Sequence, residues 1–249
     1  MSSQEPQPLG PSFLKGLTSK IVAAYRSALP EREALVARLE QQLNEIIVDD
    51  GSGGFSAFPP YSVIKTSWWA LEGLWCFAYA TAVFAPRIER AITTGNTEIL
   101  VSTTDETFVA RSVLGWAFGV LRDSGRHVWL HENVPWPYDS EGKLIFDDES
   151  LAVAERIFLG AVGWILLHEL AHIDRKHGKT EDPIKQEKEA DADATKWLLE
   201  QAPFGDAHDR ANGMAWRCYL FGSENICLKH LILIIRRRLS ALEIVCRIK

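Results

Sequence analysis

Apolar positions recur at helical spacing through much of this chain. The first run is residues 13–28, where Leu14, Leu17, Ile21 and Val22 fall on one face. Pro30 then restarts a helix at a first-turn position that its fixed φ suits. Leu35, Val36, Leu39, Leu43, Ile46 and Ile47 continue it as one stripe. Together these predict an N-terminal helical hairpin over residues 13–48, its stripe packed on its own domain. Residues 49–60 (DDGSGGFSAFPP) read as a loop and a boundary with the main body. From 61 to 93 the helical pattern returns, dense in aromatics: Trp68, Trp69, Trp75, Phe77, Tyr79 and Phe84. Such a stripe predicts a core helix, which Pro86 kinks or splits.

The pattern then shortens. Residues 98–102 predict a strand and 105–122 a further helix. Residues 127–146 carry Pro135, Pro137 and a turn at 139–142, and predict irregular or β structure near any site. His127 and His131 lie there and read as exposed or locally hydrogen-bonded histidines. Residues 157–167 are apolar without interruption, about half a bilayer span; residues 67–85 contain Glu72 and span only marginally. Both read as buried core helices, so no membrane anchor is expected. The elements predict a mainly α fold with a small β component.

Composition narrows this picture. A chain of 249 residues with 47% hydrophobic content can bury a sizeable core in one domain. Its net charge of -6 argues against a surface built for nucleic acid. Residues 229–249 run the other way, with six basic residues against Glu243, and read as a C-terminal helix with solvated arginines. Residues 1–12 are polar and proline-rich, a disordered tail by composition. The main domain is then 61–249, ending in an atypical basic tail. Cys76, Cys218, Cys227 and Cys246 form no C-x-x-C pair and read as reduced core thiols. With no charged and apolar leader at the N-terminus, a cytoplasmic location is expected.

The candidate chemistry sits just after the apolar run. His168-Glu169-Leu170-Ala171-His172 is an H-E-x-x-H pattern. Residues four apart on a helix differ by about 40° in azimuth, so both imidazoles project from one face and can hold one Zn²⁺. Glu169 is placed to take a proton from the attacking water. The motif alone is only moderately specific, but it directly follows an apolar helix, as a buried metal helix should. Asp147, Asp148 and Glu149 lie near that helix's start, where acids suit the dipole.

A catalytic zinc needs a third protein ligand and an open position. His177 is set aside, because five residues further along a continuing helix points about 140° away from His172. Gly178 and the turn to Pro183 stop the first helix and open a second, antiparallel one. On it, Glu187 and Asp191 share one face; Glu189 and Asp193 repeat the spacing on another. Either glutamate could complete the site, but not both. With Glu187 as ligand, Asp191 would accept the outer N–H of a ligand histidine.

His168-Glu169-Leu170-Ala171-His172 followed by Glu187-Lys188-Glu189-Ala190-Asp191 resembles the gluzincin pattern H-E-x-x-H … E-x-x-A-D. Adding Leu74-Trp75-Cys76-Phe77-Ala78-Tyr79, the chain from about 61 to 200 resembles the Lit-like phage-exclusion peptidases. That resemblance implies a zincin-like fold with H-E-x-x-H on the active-site helix and the third ligand on the next. It also implies that Glu187 is that ligand, that Asp191 stands behind a histidine, and that the substrate is a protein, a translation elongation factor in the family's name-giving activity. Beyond residue 200 the likeness fades. The expected function is a zinc-dependent cytoplasmic endopeptidase with His168, His172 and Glu187 on the metal and Glu169 as general base. Tyr138, His131, His208 and His230 are its candidate oxyanion donors, and 98–102 its candidate strand for pairing substrate. The alternative is a non-catalytic, metal-stabilised helical protein that binds a partner.

Overall fold

The computed structural model describes residues 12–51, 54–96, 106–123, 149–178 and 182–200. The tail at 1–11, the strand expected at 98–102, the 127–146 segment and everything beyond 200 lie outside them. The described chain is mainly helical, as the periodicity predicts, with one small sheet where a helix and a loop were expected. Helices α1 (Thr18–Val22) and α2 (Ala24–Ser27) lead to α3 (Glu33–Gln42). Strands β1 (Glu45–Asp49), β2 (Phe55–Phe58) and β3 (Val63–Ser67) follow. Four long helices complete the order: α4 (Trp68–Thr94), α5 (Glu106–Asp123), α6 (Glu149–Asp174) and α7 (Pro183–Leu199).

The sheet is where the expectation needs correcting. The helix of the N-terminal hairpin ends at Gln42; Ile46 and Ile47 lie in β1, not on a helical stripe. Three consecutive β-branched residues, Ile46-Ile47-Val48, suit a pleated strand better than a helix. Residues 55–58, a loop by composition, form β2, whose alternating exposure has the period of two that glycine-rich surroundings hid. The aromatic helix begins at Trp68, since 63–67 is strand. β3 is central, parallel to β1 and antiparallel to β2. Ser62, at φ 54°, turns the chain between β2 and β3. Pro86 lies inside α4 without ending it, and Arg87 Nη1 donates to the Val83 carbonyl at 2.6 Å.

Helix α6 is the axis of the packing. It contacts α1, α2, α3, α4, α7 and the sheet, and every residue from Ala161 to Ile173 is buried. A helix apolar on all sides belongs in a core. By length and composition α6 is also the described helix able to cross a membrane, yet here it carries the two motif histidines among packed neighbours. Phe13, Leu14, Leu17 and Ile21 join the same core as α4 and α6, so the N-terminal segment packs into the body. Cys76 is buried in α4, where desolvation and then nearby Glu72 push its thiol pKa well up.

Close approach of α2 to α6 depends on Gly163. A Cβ there would meet the Ala24 carbonyl oxygen at 2.9 Å and the Ala28 Cβ at 3.0 Å. Gly163→Val is therefore expected to lower stability by at least about 1–3 kcal/mol through overpacking, outweighing the modest gain in helix propensity. Denaturant unfolding checks this; an unchanged midpoint would contradict the packing.

Candidate metal centre

The site is built by two helices and the turn between them. Trp164 Nε1 donates to Thr195 Oγ1 at 3.3 Å, and His168 faces Asp191, so α7 runs antiparallel to α6. Asp182 caps α7 by accepting from Ile184 N and Lys185 N, with Pro183 at the first position. At its far end, Arg32 donates to the Trp197 carbonyl at 3.2 Å and Arg38 lies 6.0 Å from the Trp197 ring centre. Those contacts fix the rotation of α7, and with it which acids face α6.

His168 and His172 project from one face of α6, with Nε2 atoms 3.1 Å apart. Glu187 reaches across from α7, placing Oε2 3.2 Å from His168 Nε2 and Oε1 3.5 Å from His172 Nε2. Ligands about 2.05 Å from a tetrahedral zinc lie about 3.3 Å from one another, so these separations suit one such ion. His168, His172 and Glu187 are accordingly the described group that could hold a metal. The histidines are buried, whereas the Glu187 side chain is 55% exposed, so the cluster opens to solvent on the α7 side. Burial, with His168 alongside, holds the His172 pKa down at about 4. Its ring is neutral at pH 7, the form that ligates a metal.

Behind the cluster, His168 Nδ1 lies 2.9 Å from Asp191 Oδ1, a contact that is close but not aligned as a hydrogen bond; a small rotation of the ring would let the carboxylate take the outer N–H. Glu169 is 6% exposed, on the same helix turn as His168. Glu189 does not face the pair. It lies 3.4 Å from Arg175 Nη1 and 3.3 Å from His177 Nε2. Asp193 holds Arg175 bidentately, at 2.5 and 3.0 Å. Both α7 registers are thus used: 187 and 191 on the motif histidines, 189 and 193 on the turn that follows them.

His177 is the residue whose place the spacing argument missed. It is outside the three-ligand cluster, but it is buried, with Nδ1 2.8 Å from His172 Nδ1. The helix does not continue to it. Lys176 adopts φ 57°, and His177 N donates to the His172 carbonyl while Lys176 N donates to that of Ile173. This is a Schellman close, which folds His177 back onto His172. The stop falls at Lys176, not at Gly178. A lysine there carries the Cβ cost of a left-handed residue. Lys176→Gly is expected to raise stability by about 0.5–1 kcal/mol, read as a higher denaturant midpoint at constant slope.

Tyr138, His131, His208 and His230, the candidate oxyanion donors, and the 98–102 strand lie outside the described residues. The described site therefore consists of α6, the turn and α7.

Residues 64–223 match the family model described as Peptidase U49. Over 164 residues the chain is 27% identical to the "Cell death peptidase" of Escherichia coli (strain K12), covering 65% of this chain and 52% of that protein. The chain thus spans about half the length of the curated relative it matches. No solved structure matches it. The matched region contains α4 through α7 and so every residue of the cluster. The chain belongs to the Peptidase U49 family.

Proposed function

We propose that this chain is a zinc-dependent endopeptidase of zincin-like design, acting in the cytoplasm on peptide bonds of a protein substrate. One observation carries the reading. Two imidazole Nε2 atoms and a carboxylate lie within 3.5 Å of one another. The Nδ1 of His168 lies 2.9 Å from the carboxylate of Asp191, and a ring proton held on that side leaves the Nε2 lone pair directed inward. Three lone-pair donors aimed at one point repel one another unless a cation lies between them. Family membership and the similarity to a protein named a peptidase support hydrolysis as the chemistry.

His168, His172 and Glu187 would hold the ion, and zinc bound there supplies a Lewis acid that lowers the pKa of water toward neutrality. Asp191 orients the His168 ring. Glu169 accepts the proton of the attacking water as the new C–O bond forms, then delivers it to the departing nitrogen as the C–N bond breaks. The exposed Glu187 side leaves room for substrate. The resemblance to the Lit-like peptidases makes a translation factor the first substrate class to try, and phage exclusion the setting.

Purified protein is expected to carry about one equivalent of zinc, to lose cleavage on treatment with a chelator, and to regain it on zinc addition. New protein N-termini, compared across cells with and without the chain, report the cleavage. Protein that takes up no zinc sinks both the catalytic reading and its metal-stabilised, non-catalytic alternative. Zinc without new N-termini favours the alternative.

A further inference from the structure

We propose that His177 is a positioning residue that sets the tautomer of His172, under orders from the carboxylate of Glu189. The inference rests on the metal reading above and deepens it.

With the Glu189 carboxylate as acceptor and one proton on each imidazole, the chain of contacts has one consistent proton assignment. Arg175, gripped by Asp193, lies 3.4 Å from Glu189 and holds that carboxylate in place as a hydrogen-bond acceptor. Glu189 Oε2 lies 3.3 Å from His177 Nε2, so that nitrogen carries the proton. An imidazole with its one ring proton on Nε2 has a bare Nδ1. That bare nitrogen lies 2.8 Å from His172 Nδ1, which must donate to it. His172 consequently keeps its proton on Nδ1 and presents a bare Nε2 toward His168 and Glu187. Asp191 does the equivalent for His168 directly. The two motif histidines are thus held by different devices: one carboxylate alone, and one carboxylate acting through a second imidazole.

The device needs the left-handed Lys176, since a continuing helix would carry His177 away from His172. It also needs α7, because Glu189 comes from there. His172 is therefore correctly set only when α7 has docked on α6.

The test uses the full chain with ¹⁵N-labelled histidine, free of metal. The His172 ring, assigned by its loss in His172→Asn, is expected to show its proton on Nδ1. In His177→Leu the proton is expected to redistribute between the two nitrogens, and zinc affinity, measured against a competing chelator, to fall about 10–100-fold. His177→Asn places a carbonyl oxygen where Nδ1 was and should restore both readouts, which mere loss of packing would not allow. Glu189→Ala combined with His177→Leu should weaken zinc no further than His177→Leu alone, because both cut one chain. A His172 proton on Nε2 in the wild type, or an unchanged ring spectrum in His177→Leu, overturns the proposal. Wild-type protein that takes up no zinc defeats the metal reading alone; the metal-free spectrum still decides this one.

Discussion

Glu169→Gln is expected to abolish cleavage while leaving zinc content unchanged. Glutamine has the shape of glutamate, so the buried position on α6 is filled as before. His168 and His172 keep their places on either side of it in sequence, and the convergence with Glu187 is untouched. What disappears is a proton acceptor. General base catalysis contributes about 10²–10⁴-fold, and the loss here should reach at least that range, because the same group also delivers the proton to the leaving nitrogen. Metal analysis and a count of new N-termini in cells expressing each form make the measurement. A structural metal site has no use for this carboxylate, so an interaction protein would lose nothing on the substitution. A variant that still cleaves removes Glu169 from the mechanism; one that loses its zinc shows that the side chain supports the ligands instead.

The helices around this site were legible as sequence because their signals are local. Continuous apolar character from 157 to 167 announces a buried helix, and α6 is buried at every residue from Ala161 to Ile173. Asp182-Pro183 announces the start of α7 by capping chemistry that involves only neighbours. The sheet was less legible. β1 and β2 are short and depend on hydrogen bonds to β3, a long-range pairing no local window contains. Ile46 and Ile47 therefore extended a helical stripe on paper that the chain abandons at Gln42.

Within the site, what could be read was the face that regular helices create: His168 with His172, and Glu187 with Asp191, both four apart. His177 could not be placed that way, because its position follows from one non-glycine residue in a left-handed conformation. One signal was available. Arg175 in the turn has two acids, Glu189 and Asp193, spaced to meet it from the next helix, which marks the turn as docked. A docked turn keeps its histidine inside.

The contest between Glu187 and Glu189 turns on magnitudes. Glu187→Ala removes an oxygen that lies 3.2 Å from one ligand nitrogen and leaves two imidazoles to hold the ion. Zinc affinity should fall by more than the roughly 10–100-fold typical of outer partners, and cleavage should vanish with it. Glu187 is exposed and its loss leaves the core intact, so the thermal midpoint of metal-free protein should barely move. Glu189→Ala takes away only the acceptor behind His177, and its effect on zinc is bounded by that outer range. Competition against a chelator of known affinity separates the two outcomes. If Glu189→Ala abolishes binding while Glu187→Ala retains it, α7 sits in the other register on the loaded protein. His177 would then lose its partner, and the Arg175 contacts to Glu189 would have to break as metal enters.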